Sequence, residues 1–128
     1  MHAEYRAFIT KTTDLKRDIG DALSFIGWET CVKSGDTVFV KPNFTYPFSK
    51  EGITTNPLVL QYLLELLKDR ASHVIVGESD GGNHSFTADQ AFKGHGMHDI
   101  CRETGAELVN LKSSSAFGNC CNYKRNTS

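Results

Sequence analysis

Residues 37–57 read TVFVKPNFTYPFSKEGITTNP, a short apolar run that breaks into a polar loop, and the loop in turn ends on a helix start. Val38, Phe39 and Val40 are consecutive apolar residues, bounded by the turn-forming Ser34-Gly35-Asp36 before them and by Lys41-Pro42-Asn43 after. A run without alternation predicts a strand covered on both faces, as in a parallel sheet. Pro42 cannot donate to a central ladder and holds Lys41 extended, so the strand ends there. Lys41 and Asn43 therefore stand at a strand's carboxyl end, where open α/β sheets bind ligands. Thr54, Thr55 and Asn56 are each suited to cap the next helix, with Pro57 in its first turn. The free amides and positive dipole end of that helix would receive an anion, with Lys41 as counter-charge and the threonine hydroxyls as donors. The competing reading leaves Lys41 as an exposed strand-end residue and the threonines as caps only.

Downstream the same plan repeats. Residues 57–70 carry Leu58, Val59, Leu63, Leu64, Leu66 and Leu67, an apolar surface wide enough to pack closely on a sheet. His73-Val74-Ile75-Val76-Gly77 is again continuous and β-branched, and Glu78-Ser79-Asp80-Gly81-Gly82-Asn83-His84 follows it as a polar loop. Two strand-then-loop units flanking a helix make a right-handed βαβ crossover, so both loops emerge at one edge of the sheet. Thr87 or Ser85 caps a short helix through Ala88, Ala91 and Phe92 that stops at Gly94 or Gly96. A second helix runs over 97–103, and residues 107–111 read as another strand.

Upstream, residues 5–10 alternate weakly and are expected to form a first strand with Tyr5, Ala7 and Ile9 on its buried face. Asp14 then caps an amphipathic helix in which Leu15, Ile19, Ala22, Leu23 and Ile26 recur at helical spacing and Gly27 marks the stop. Gly20 within it costs about 1 kcal/mol relative to alanine, for no reason visible in the sequence. After Lys112, periodicity ceases. The expected division is an α/β domain over residues 1–112 and an irregular or disordered tail over 113–128.

Composition restricts function more than it specifies it. The 128 residues make one domain by length, and a net charge of -1 gives no basic footprint for nucleic acid. No run approaches the roughly 18 apolar residues of a membrane span. The amino terminus lacks the charged-then-apolar plan of a secretory signal, so a cytoplasmic location is expected. Cys31, Cys101, Cys120 and Cys121 form no CxxC pair and no zinc or iron–sulfur spacing, which favours reduced thiols. Three sequons, at Asn43, Asn83 and Asn126, have no acceptor role without secretion.

VFVKPNF, GITTNP, LLELLKDRASHVIVGESDGG and GMHDICRETGAELVNL, in that order and spacing, resemble the amino-terminal portion of the uncharacterised "domain of unknown function 362" family. The resemblance covers residues 5–111, and its matching positions are Lys41, Pro42, Asn43, Thr54, Thr55, Pro57, Gly77 and Glu78. It implies an α/β domain of unsettled activity, with iron–sulfur ferredoxin-type segments in many members. Members are usually longer, and Cys120-Cys121 does not reproduce a ferredoxin pattern. A truncated chain or a reading-frame change near Lys112 is therefore expected, with an iron–sulfur cluster only in a longer protein. A fainter similarity in plan to the amino-terminal domain of nickel-pincer lactate racemases touches only Gly77 and His84 and transfers no role.

Several side chains remain to be weighed. His95 and His98, three apart, would share a helix face and hold a metal, but Gly94 and Gly96 argue against a continuous helix there. Asp80, His84, Asp89, Asp99 and Cys101 otherwise read as members of solvated loops and helices. Glu78 directly follows a buried strand, where it is suited to act as a general base, to bind a cation or simply to pair with Lys41. Phe44, Tyr46 and Phe48 alternate in the central loop and either cover a ligand or anchor the loop to its own domain. Neither GxSxG, GxGxxG nor GxxxxGK[ST] occurs.

Together these features point to an incomplete, mostly parallel α/β sheet with helices on both faces and a polar strand-end site. The expected ligand is an anionic or metal-associated small molecule. Lys41 supplies charge, Asn43, Thr54 and Thr55 hydrogen bonds, and Glu78 acid–base or cation-binding capacity; no reaction is assigned. Two alternatives are a non-catalytic module that docks an iron–sulfur electron carrier and an inactive fragment, whose unpaired edge after Leu111 predicts self-association.

Overall fold

The computed structural model describes residues 5–82 and 85–113. Asn83, His84, the Asn126 sequon, Cys120-Cys121 and all but the first residue of the 113–128 tail lie outside the described residues.

Eight elements follow in order: α1 (Leu15–Phe25), α2 (Trp28–Cys31), β1 (Thr37–Val40), α3 (Pro57–Lys68), β2 (His73–Glu78), α4 (Ala88–Gly94), α5 (Met97–Thr104) and β3 (Glu107–Asn110). The three strands form one open sheet in the order β1-β2-β3, parallel throughout. The α/β class and the parallel sheet are thus as the apolar runs require. Val38 lies opposite Val74 and Val40 opposite Val76, and Val76 in turn lies opposite Leu108. These residues share one sheet face and meet Leu60, Leu64 and Leu67 of α3 and Met97, Ile100 and Cys101 of α5 in a single core. Leu60, Leu64 and Leu67 recur at i, i+4, i+7, the spacing that turns one helical stripe onto a sheet.

On the opposite face Phe39 crosses Gly77. A methyl group at residue 77 would come within 2.6 Å of the Phe39 ring, so the glycine that ends the second apolar run is there to admit an aromatic ring from the neighbouring strand.

The helix caps are those that short-range chemistry favours. Asp14 accepts a hydrogen bond from Arg17 N at 3.1 Å, and Asn56 accepts from Leu58 N at 2.9 Å with Pro57 in the first turn. Of the three residues suited to cap α3, Asn56 is the one that does. Thr87 and Gln90 form a reciprocal capping box on α4, and α5 starts and stops at the left-handed Gly96 and Gly105.

One element departs from expectation. Residues 5–10 form no strand; Tyr5 and Ile9 are almost fully exposed. The out-of-phase residues dock instead: Phe8 lies 5.8 Å from the Phe25 ring, and Arg6 stacks 4.8 Å above it. The weak alternation had no sheet edge to meet, and α1 offered an aromatic face. The described sheet therefore has three strands where four were expected. The single-turn helix α2 was also not foreseen; its carbonyl ends are held from afar, since Arg70 donates to Glu29 O and Val32 O, both at 2.5 Å. Among the described residues no helix is long and apolar enough to cross a membrane.

Candidate functional site

The carboxyl ends of the three strands bring together side chains that lie far apart in sequence. Lys41, one residue past β1, donates to Glu78 Oε2 at 3.0 Å. Glu78 is the last residue of β2, and its side chain retains 8% of its exposure against 57% for Lys41. A carboxylate this deeply buried requires partners; Oε1 accepts from Ser79 N at 2.8 Å and the ammonium group neutralises Oε2. The sequence left open whether Lys41 and Glu78 meet. They do.

Asn43, Thr54 and Thr55 sit beside this pair as the neck of the central loop. Asn43 N donates to Thr55 Oγ1 at 2.8 Å and Thr55 N to Asn43 O at 3.0 Å, closing residues 43–55 into a loop whose ends touch. Asn43 Nδ2 reaches Ile53 O at 3.0 Å, and Thr54 Oγ1 accepts from Lys50 N at 2.8 Å. All three side chains thus hydrogen-bond within the loop, while Asn43 remains solvent-exposed. The first amides of α3 turn to Asn56 Oδ1.

The loop is fastened to the rest of the domain by its aromatic residues. Phe44 is buried and stacks on His95 with ring centroids 4.0 Å apart. His95 Nε2 lies 2.8 Å from Tyr46 O; since a carbonyl only accepts, Nε2 carries the proton. Nδ1 is buried with no hydrogen-bond partner among the described residues. Adjacent Gly94 passes so close to the loop that an added Cβ would meet Pro47 O at 1.7 Å. Phe44 is therefore an anchor, and His95 is occupied by the loop. His98 instead stands edge-on to Phe92 at 6.5 Å, and Asp99 pairs with Arg102.

Among the described residues, no three His, Cys, Asp or Glu side chains converge to hold a metal. The described cysteines do not suit an iron–sulfur cluster either: Cys31 is exposed on α2, while Cys101 is buried in the core, where desolvation pushes its thiol up to about 11.

Sequence reasoning missed a second ion pair. Lys112 Nζ lies 2.5 Å from Asp80 Oδ2, and Asp80 Oδ1 accepts from Ala88 N at 3.0 Å. A signal was present, because a lysine directly follows the apolar run at Val40-Lys41 and again at Leu111-Lys112. Two open grooves lie elsewhere, between residues 6–12 and α1, lined by Phe8, Ile19 and Ala22; they are apolar and hold none of the strand-end groups.

No curated protein and no solved structure matches the chain. A family model, described as a domain of unknown function (DUF362), matches residues 38–124. The match begins after the amino-terminal helices and continues past Lys112, so it starts and ends later than the 5–111 span of the sequence resemblance. It takes in both strand-end ion pairs and all of the described sheet except Thr37, the first residue of β1. With two thirds of its residues inside that match, the chain belongs to the DUF362 family.

Proposed function

We propose that the domain binds a small anionic ligand at the carboxyl end of its sheet, with Lys41 as the charged anchor and Glu78 as the group that holds and answers it. The observation that carries this reading is the asymmetry of the pair: a carboxylate fixed by a backbone amide and almost buried, against an ammonium group more than half exposed. Lys41 has three donor hydrogens; Glu78 Oε2 accepts one at 3.0 Å and Pro42 O another at a longer 3.5 Å, and the group stays more than half exposed at a strand-end edge, where parallel sheets present ligands. With a ligand anion on the open side of the ammonium group, Glu78 Oε2 still has a second lone pair at the same place. It then accepts a proton or a hydroxyl hydrogen from the ligand, which is the acid–base role open to this chain. Asn43, Thr54 and Thr55 contribute by fixing the loop that starts at Lys41, and exposed Asn43 is the one placed to reach a ligand as well.

An iron–sulfur partner, whether a domain or a carrier protein, is supported by the family resemblance alone, and any cluster would be held by ligands other than Cys31 and Cys101. Titration calorimetry with acetate and inorganic phosphate tests the anion site. Wild-type protein is expected to bind one of them, and Lys41→Gln to lose that binding without loss of fold. Equal binding by wild type, Lys41→Gln and Glu78→Gln would remove the proposal.

A further inference from the structure

The two strand-end ion pairs are built alike. At the end of β2, Glu78 and, two residues on in the following loop, Asp80 each receive a backbone amide on one carboxylate oxygen, from Ser79 N at 2.8 Å and Ala88 N at 3.0 Å. Each offers the other oxygen to a lysine just past an outer strand, Lys41 at 3.0 Å and Lys112 at 2.5 Å. Both carboxylates are nearly buried, with 8% and 11% of their side-chain surface left, and both lysines are open, at 57% and 63%. The surface pairs Lys16–Glu65 and Arg102–Asp99 lack this asymmetry, since both partners of each are substantially exposed; Arg17–Asp18 shares it, at 61% against 10%, but lies on α1 at a longer 3.8 Å, so it is the shared placement at the strand ends that joins the two lysine pairs. A mobile lysine on an open surface loses side-chain entropy when it is held. Here two lysines are held by carboxylates that are themselves immobilised by the backbone.

We infer that Lys41 and Lys112 form a two-point anchor for a ligand carrying two anionic groups, such as a short dicarboxylate, across the end of β2. This deepens the reading of Lys41 as an anion anchor and rests on it. The carboxylates that position the two ammonium groups are two residues apart in the chain, at the end of β2 and in the loop after it, so their Cα atoms lie no more than about 7 Å apart. That is the scale of a dicarboxylate with a few methylenes, which suits glutarate better than a single carboxylate or a long-chain diacid. Asp80 and Glu78 are positioning residues: they preset the lysines, so less ordering is left for the ligand to bring about.

Calorimetry on the full chain with acetate and with glutarate tests this. In wild type, glutarate is expected to bind about tenfold or more tightly than acetate. Lys112→Gln is expected to bring glutarate down to the acetate level. Because Lys112→Gln strips Asp80 of a counter-charge, the double variant Asp80→Asn/Lys112→Gln, which removes both charges together, serves as the folded control and is expected to give the same loss. Equal affinities for acetate and glutarate, or glutarate binding indifferent to Lys112, would overturn the two-point anchor while leaving the Lys41 site standing. Absence of binding by acetate and glutarate overturns the anchor, and absence of binding by inorganic phosphate as well overturns the site with it.

Discussion

The fate of single ionisable groups in this domain depends on which partner reaches them. Glu78 is accommodated in a nearly buried position because Lys41 and the Ser79 amide answer its two oxygens. Removing the ammonium group leaves a carboxylate with half its partners. Fully buried pairs lose about 3–5 kcal/mol when broken, exposed ones about 0–1; with Lys41 more than half exposed, Lys41→Met is expected to cost about 1–2 kcal/mol. Urea unfolding reads this, and Lys41→Met/Glu78→Gln should recover part of the loss by removing the stranded charge. Cys101 gives a pH prediction of opposite character. Burial raises its folded thiol to about 11, above the roughly 8.5 of a free cysteine, so the thiolate is favoured in the unfolded chain. Stability from this group is complete below about pH 8.5 and falls as pH rises toward 11, by up to about 3 kcal/mol. Urea midpoints measured from pH 8 to 11 should fall further in wild type than in Cys101→Val, and parallel curves would refute the assignment. Exposed Cys31 should react with iodoacetamide at pH 8 while Cys101 stays unlabelled until the domain unfolds, as peptide mapping by mass spectrometry would show.

Among the elements, the long loop between β1 and α3 depends most on a neighbour distant in sequence. Its neck is local, made by Asn43 and Thr55, but its body rests on α4 through Phe44, His95 and Gly94. In an ordinary helix Gly94→Ala would be stabilising by up to about 1 kcal/mol. Here the new methyl would meet the Pro47 carbonyl at 1.7 Å, so the substitution is expected to destabilise by about 1–3 kcal/mol, as overpacking does. It should also speed tryptic cleavage after Lys50, the exposed lysine within the loop. A more stable Gly94→Ala protein with unchanged cleavage would show that the loop does not bear on α4. Asp14, Asn56 and Thr87 could be read as caps or cap candidates from sequence because a cap is a contact over three residues. The seat of the loop could not be read, because Phe44 and His95 are 51 residues apart and neither belongs to a recurring motif.

For the molecule as a whole, the sheet order sets the hierarchy of stability. β2 is flanked by a parallel neighbour on each side, and Val74 and Val76 are wholly buried beneath α3 and α5. Amide hydrogen exchange is expected to be slowest in β2 and fastest over residues 5–12, which belong to no helix or strand. Slow exchange over residues 5–10 would instead revive the strand that their alternation suggested. That alternation misled because a two-residue period says only that a segment can lie half-buried; whether an edge is near enough to pair with is decided elsewhere.

The chain's own order of residues determined the α/β class, the three principal parallel strands, the helix caps and the placement of Lys41 and Glu78 at strand ends. Each of these depends on contacts within a few residues or on apolar runs that can be buried only between covering layers. Tertiary structure alone decided that Lys41 meets Glu78, that Lys112 meets Asp80, and that His95 holds the loop rather than standing with His98 as a metal ligand. Those pairings join residues 37, 32 and 49 positions apart. The two ion pairs exist because parallel strands place their carboxyl ends side by side, and the His95 contact because the long loop packs on the end of α4, proximities set by tertiary packing and by no local preference of the residues that meet.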